Sequence, residues 1–287
     1  MNTLFFSAPQ LQSTQVQAVL QHLGLNHAHV HLQHNTAHIT LPQGIPHDEA
    51  SFRQQLRQAS QHAQCDVALL PPNFQAQQFK LLAMDMDSTL ITIECIDEIA
   101  DFAGKKKEVS EITEAAMRGE ISNFSDSLTR RVALLQGVPA NCLEAVYTER
   151  LRLSPGAPEL IAFAKHSGWK TLLVSGGFTF FTDKMKELLG LDYTHANTLE
   201  IVDGKLTGNV LGPIVDAQAK RETVQTTCHT IGCSPQQALV IGDGANDLQM
   251  MAISGASVAF MAKPTVQEQT RFCINHGGLD TLVNWFN

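Results

Sequence analysis

Two aspartates stand two residues apart in Met84-Asp85-Met86-Asp87-Ser88-Thr89-Leu90, directly after the apolar run Leu81–Met84. Carboxylates at the mouth of a buried strand are costly, because taking charge out of water is expensive unless it is paired. A second acidic run, Gly242-Asp243-Gly244-Ala245-Asn246-Asp247, follows a second apolar stretch, Ala238–Ile241. If both stretches are strands of one parallel sheet, the carboxylates of Asp85, Asp87, Asp243 and Asp247 gather at one edge and need a cation. The donors are oxygen only, with no His or Cys in either run, which favours a hard ion such as Mg²⁺. The glycines let backbone approach closely. Further along, Ser175-Gly176-Gly177-Phe178 closes the apolar run Lys170–Val174 and opens a predicted helix. A hydroxyl and free N–H groups at a helix start make an anion seat. Lys220, in Ala219-Lys220-Arg221-Glu222, is the further cation expected there. A metal, an anion seat and a lysine around an aspartate suit phosphoryl transfer, for which aspartate is a covalent nucleophile. Taken singly, each run reads as a loop or turn. Their order, each at a strand end or helix start, carries the reading.

Those runs require a particular scaffold. From residue 79 onward, strand-like segments at Lys80–Met84, Trp169–Val174, Ala238–Ile241 and Ala256–Ala259 alternate with helical ones at Phe178–Leu189, Ala245–Ile253 and Thr265–Phe272. This alternation predicts an α/β, doubly wound (Rossmann-like) parallel sheet with helices on both faces. Residues 94–150, between the first two strands, read as wholly helical over Val109–Met117, Asn123–Leu135 and Ala140–Arg150. An insert there sits over the carboxyl edge of the sheet, where open α/β folds bind ligands, so it is expected to be a cap. Leu199–Val210, with Asp203-Gly204, reads as a hairpin.

The first 80 residues differ: they hold three basic and three acidic side chains and eight of the twelve histidines. Pro71-Pro72-Asn73 interrupts the pattern, so domains are expected at 1–72 and 77–287. Thr3–Phe6, Leu11–Leu23, His27–Leu32, His38–Leu41, Glu49–Ala63 and Cys65–Leu70 give the order βαββαβ, a small α+β ferredoxin-like sandwich. It resembles the ACT-type regulatory domains in topology. A structural role, or formation of a homodimer through this domain, is at least as expected as ligand sensing. His27, His29 and His31 alternate along one strand, and His34 and His38 lie nearby. No Cys or carboxylate completes a metal set, so they read as a polar outer face.

Hydrophobic residues are 44% and charged residues 17% of the 287, with a net charge of −8, as in a globular protein without a nucleic-acid stripe. Lys105-Lys106-Lys107 is followed at once by Glu108 and Glu111 and reads as a solvated helix face. No apolar stretch is long enough for a membrane span, and the start MNTLFFSAPQ has no signal-like n-region. The six scattered cysteines form no C-x-x-C pair and read as reduced thiols, so a cytoplasmic location is expected.

In this order, the four runs resemble the four motifs of the haloacid dehalogenase-like phosphatases, and the resemblance covers about 77–287. Glu94-Cys95-Ile96-Asp97-Glu98, Asn123-Phe124 and Arg130-Arg131-Val132 in the insert are similar to the cap of the phosphoserine-hydrolysing branch. The resemblance implies Mg²⁺-dependent hydrolysis of O-phosphoserine to serine and phosphate through an aspartyl-phosphate, the final step of serine biosynthesis. It implies Asp85 as nucleophile and Asp87 as general acid and base. Mg²⁺ would be held by the side chains of Asp85 and Asp243 and the carbonyl of Asp87, with Asp247 in support. Ser175, Gly176, Gly177 and Lys220 would hold the phosphate, assisted by Asn246. Glu94 would meet the substrate ammonium and Arg131 its carboxylate, with Phe124 and Met117 lining the pocket. Met86 replaces the more usual Phe, with little effect expected. From the residues alone, Glu94 also reads as an exposed helix-start carboxylate, and Arg130 competes with Arg131. A sibling hydrolase for another small phosphomonoester is the alternative, and a phospho-acceptor signalling module the reading from another class. The latter needs neither Asp87 nor a cap.

Overall fold

A computed structural model of the chain describes residues 1–25, 30–33, 35–41, 49–117, 120 and 123–286. His27, His29 and His34 lie outside the described residues, as do the side chains of His31 and Met117.

The first sheet is built from β1 (Asn2–Ser7), β2 (His31–Gln33), β3 (Thr36–Leu41) and β4 (Asp66–Leu70), with α1 (Ser13–His22) and α2 (Glu49–Ala63) packed on it. Its order is β2-β3-β1-β4, all antiparallel. Ala37, Ile39 and Leu41 alternate inward along β3, as a half-buried strand requires. On α2, Phe52, Leu56, Ala59 and Ala63 form one buried stripe. β4 is buried along its whole length: Val67 and Leu69 face these helices, while Ala68 and Leu70 join the core of the second sheet.

The second sheet contains β5 (Leu81–Met84), β6 (Lys170–Phe178), β7 (Tyr193–Val202), β8 (Lys205–Leu211), β9 (Ala238–Gly242), β10 (Ala256–Phe260) and β11 (Phe272–Ile274). The order is β11-β10-β9-β5-β6-β7-β8, parallel except for the β7–β8 hairpin. At the hairpin turn Asp203 and Gly204 have φ of 50° and 72°, the positive pair that a two-residue turn of matching twist needs. Leu82 and Met84 of β5 enter one core, Leu81 and Ala83 the other, which is why this strand reads as an unbroken apolar run. Helices α3 (Cys95–Phe102), α4 (Lys106–Met117), α5 (Phe124–Ala133) and α6 (Cys142–Ala145) form the insert after β5. Beyond it come α7 (Ala157–His166), α8 (Thr179–Leu189), α9 (Ala217–Thr230), α10 (Leu248–Ala252), α11 (Pro264–Gln267) and α12 (Thr281–Asn284). The chain leaves β5 towards β6 and returns on its other side at β9. The carboxyl end of β5 is therefore the point where the strand order reverses, the position at which such sheets bind ligands.

Two expectations are corrected. The helix expected over Thr265–Phe272 stops at Gln267, and Phe272–Ile274 forms the edge strand β11 against Val258–Phe260. The apolar Phe272 and Ile274 gain more from the ladder and core than from a helix facing water. Ser175–Gly177 do not sit at a helix start but remain in β6, and α8 begins at Thr179. There the β6–β7 register slips, Val174 facing His195 and Phe178 facing Asn197, so β6 carries two residues more than β7 and bulges outward. Among the described residues, no helix is long and apolar enough to cross a membrane.

Candidate active site

At the end of β5 the last rung is the N–H of Asp85 donating to Ile241 O (3.0 Å). Asp85 Oδ1 then accepts from the N–H of Met86 at 2.7 Å. Ser88 takes a left-handed φ of 55° and reverses the chain. Asp87 Oδ1 accepts the N–H of Cys95 (2.9 Å) at the start of α3. The Ser88 hydroxyl donates to Glu94 Oε1 (2.6 Å), so Glu94 is turned into the site rather than to solvent. Thr89 Oγ1 donates to Asp243 Oδ1 (2.9 Å), linking the two acidic runs across the sheet.

At the end of β9, Asp247 Oδ2 accepts the N–H groups of Asp243 (3.2 Å) and Gly244 (3.1 Å). A Cβ on Gly242 would strike this carboxylate, so the turn demands glycine there. Lys220 lies in the first turns of α9, whose start is fixed by Asp216 accepting the N–H of Ala219 at 2.9 Å. Its ammonium is 0% exposed and sits 2.9 Å from Asp85 Oδ1 and 2.8 Å from Asp247 Oδ1. The carboxylates of Asp85, Asp243 and Asp247 each place an oxygen within 4.8 Å of the others, and all three residues are buried.

The β6 bulge faces this cluster. Ser175 is buried, and its Oγ accepts the N–H of Gly177 at 2.8 Å. A Cβ on Gly177 would meet the carboxylate of Asp87. From the insert, Arg131 on α5 is only 4% exposed and lines the cavity, whereas Arg130 is exposed. Arg131 donates from Nη1 to Thr113 Oγ1 (3.1 Å), and Thr113 donates to Asp97 Oδ1 (2.9 Å). Its guanidinium lies 5.8 Å from the ring centre of Phe124. These groups enclose a cavity of about 50 Å³ lined by Asp85, Asp87, Glu94, Ile96, Thr113, Phe124, Leu128, Arg131, Ser175, Gly176, Gly177, Phe178, Asp243 and Asn246. Every site residue expected from sequence therefore lies on this cavity or in contact with it, save Met117, whose side chain is outside the described residues. The sequence reading missed Thr113, the link from Asp97 to it and the linking role of Thr89. Thr89 and Asp97 lay in plain view within the motif runs, but Thr113 carries no local signal.

Electrostatically the site is overloaded with negative charge. The carboxyl of Asp85 is pushed up to about 7, by burial first and by Asp247 next, with Lys220 pulling against them. Burial likewise drives Asp243 and Glu94 well above the ordinary carboxylate range and raises Asp87. Burial would depress the Lys220 ammonium, but Asp247 and Asp85 outweigh it and hold the charge in place. Burial lowers Arg131, opposed by Glu94, Asp97 and Asp87. Among the described residues, the five carboxylates of Asp85, Asp87, Glu94, Asp243 and Asp247 thus face two cations, Lys220 and Arg131. A divalent cation fits this donor set. The oxygens are hard and clustered, and bound positive charge would reverse the upward shifts. Asp247 already spends both oxygens on Lys220 and two N–H groups, which leaves Asp85 and Asp243 as the freer donors.

The sequence profile of the haloacid dehalogenase-like hydrolase family matches residues 82–252. The chain is 55% identical over 221 residues to a phosphoserine phosphatase of Polaromonas sp. strain JS666, an alignment covering 76% of this chain and 94% of that protein. A crystal structure of a haloacid dehalogenase family hydrolase from Salmonella enterica serovar Typhi superposes with a TM-score of 0.86 at 33% identity, over 99% of this chain and 98% of that one. The unliganded crystal structure of a probable phosphoserine phosphatase from Vibrio cholerae gives 0.79 at 35% identity, covering 98% and 85%.

Proposed function

Because the chain belongs to the haloacid dehalogenase-like hydrolase family, we propose that it hydrolyses O-phosphoserine to serine and phosphate through an aspartyl-phosphate. The observation that carries the substrate is the pairing of Glu94 and Arg131 on one small cavity with Asp85 and the β6 bulge. Phosphoserine carries an ammonium, a carboxylate and a phosphate on three carbons. One anion, one fork-shaped cation and one phosphate seat match that set, and Arg suits bidentate carboxylate recognition.

The carboxylate of Asp85 attacks phosphorus and the seryl oxygen leaves, taking a proton from Asp87. Burial raises the pKa of Asp87, which favours its holding that proton at rest. Asp87 then takes a proton from water, whose oxygen attacks the phosphorus of the aspartyl-phosphate. The P–O bond to Asp85 breaks, and phosphate and the free carboxylate are restored. Ser175, Gly176, Gly177 and Lys220 hold the phosphate oxygens, and Asn246, also on the cavity lining, assists. Glu94 binds the ammonium and Arg131 the carboxylate, while Phe124 closes the pocket against water. Mg²⁺, held by the side chains of Asp85 and Asp243 and the carbonyl of Asp87, would neutralise phosphoryl charge so that one anion can approach another. Asp247 fixes Lys220 and the β9 turn around it. Such a reaction is the final step of serine biosynthesis. A cytoplasmic location accords with six cysteines that are all free thiols.

A phosphate-release screen over small phosphomonoesters, with Mg²⁺ and after chelation, tests the reading. Phosphoserine should lead in kcat/KM, and chelation should abolish turnover with recovery on adding Mg²⁺ back. Equal kcat/KM for phosphoserine and phosphoglycolate would remove the substrate assignment. A phosphoaspartate that persists for minutes would favour a signalling module instead.

A further inference from the structure

Asn197 is 1% exposed, polar and on β7, and no step above uses it. Its Nδ2 donates to Gly176 O at 2.8 Å, and its Oδ1 accepts the N–H of Val215 at 2.8 Å. A carbonyl on one side and an N–H on the other fix the amide's orientation. We propose that Asn197 is a positioning residue for phosphate binding, tying the β6 bulge and the segment that delivers Lys220 into one rigid seat. The inference rests on the phosphatase reading above.

The β6–β7 ladder is interrupted between Val174 and Phe178, so the strand pairing cannot orient the Gly176–Gly177 peptide. Asn197 supplies the missing bond. In a trans peptide the C=O and the following N–H point in opposite directions. Drawing Gly176 O towards Asn197 therefore aims the N–H of Gly177 the other way, where it meets Ser175 Oγ at 2.8 Å, on the side of Gly177 that faces Asp87. The second bond acts on the other arm. Val215 directly precedes Asp216, which accepts the N–H of Lys220 at 2.9 Å and opens α9. One buried amide thus sets the distance between the N–H groups and hydroxyl of the bulge and the ammonium of Lys220, two groups drawn from chain segments more than 40 residues apart.

The test uses the full-length protein with Mg²⁺ and the variants Asn197→Ala and Asn197→Ser. Inhibition constants are measured for orthophosphate and for serine, together with kcat and KM on phosphoserine and p-nitrophenyl phosphate. Positioning predicts that the orthophosphate constant and both KM values rise about tenfold in Asn197→Ala, the scale of one well-placed hydrogen bond to an anion, and less in Asn197→Ser. The serine constant should stay near wild type, because Glu94 and Arg131 are untouched. Variants that only melt earlier, with orthophosphate and serine constants both unchanged, would make Asn197 a structural residue and overturn the inference. If Asn197→Ala does not fold, Asn197→Ser decides by the same two constants. A wild-type protein that neither releases phosphate nor binds orthophosphate would instead remove the phosphatase reading.

Discussion

The two carboxylates two residues apart meet different partners, and the backbone reverses at Ser88 just beyond them. Asp85 contacts Lys220 and belongs to the acidic cluster, while Asp87 is anchored by the N–H of Cys95 at the base of the cap. Asp85→Asn keeps the shape and removes the proposed attacking anion. Turnover should fall by about a thousandfold or more, with orthophosphate binding largely kept, as read by phosphate release and acid-quenched mass spectrometry. Substantial residual activity would count against a covalent intermediate. Arg131 differs in kind: it donates to Thr113, which in turn donates to Asp97, and its proposed partner is the substrate head rather than the phosphate. Arg131→Ala should cost phosphoserine about a hundredfold in kcat/KM, the scale of leaving a buried charge unpaired, while p-nitrophenyl phosphate loses little. An equal loss on both esters would take Arg131 out of the head-group role.

Among the elements, the insert carries a small network of charges at its base. Glu98 on α3 pairs with Lys106 at 2.7 Å and with Arg150 at 2.6 Å, and Arg150 also meets Asp101 at 2.7 Å. Burial would raise the Glu98 carboxyl, but Lys106 and Arg150 together hold it below its ordinary value. A depressed carboxyl adds stability above the unfolded-state pKa and loses it as pH falls through the folded one. Glu98→Gln should therefore cost about 1 kcal/mol or less near neutral pH, because the partners are half exposed. The difference from wild type should vanish in acid, below the usual carboxylate range. Urea unfolding at both pH values checks this, and a difference that persists in acid would assign the effect to packing. Across the cleft, Lys263 meets Glu114 of α4 at 3.1 Å, a contact between core and cap.

For the whole molecule, we propose domains at 1–72 and 77–287, joined through β4 rather than merely tethered. Phe5, Ala68 and Leu70 enter the core of the second sheet. Asp66, buried at the start of β4, accepts the N–H groups of Asn275 (2.6 Å), His276 (3.1 Å) and Gly277 (2.6 Å) just past β11. Asp66→Ala would orphan these donors, at about 1–3 kcal/mol for a buried group that water does not reach. The urea midpoint should fall while kcat of the folded protein stays near wild type. A large loss of kcat at unchanged stability would mean that this junction communicates with the active site.

Composition and local pattern alone were enough to place the acidic runs at strand ends, because a strand buried on both faces must be apolar throughout and its polar successors are conspicuous. The cap, the hairpin at Asp203-Gly204 and the α+β order of the first 70 residues were legible for the same reason: each is a periodicity or a turn within one short window. Other features depended on partners distant in the chain. Phe272–Ile274 became a strand because β10 and the N-terminal domain were there to receive it. Thr113 and Asp97 gained a role only once α5 brought Arg131 beside them. Asn197 looks like any polar residue in a strand until the β6 bulge and the approach to α9 close on it from two sides. Residue type and spacing fix which chemistry a segment can perform. Which groups meet, and hence which charges must be shared with a metal or a substrate, follows from sheet order and packing, which no short window of sequence contains.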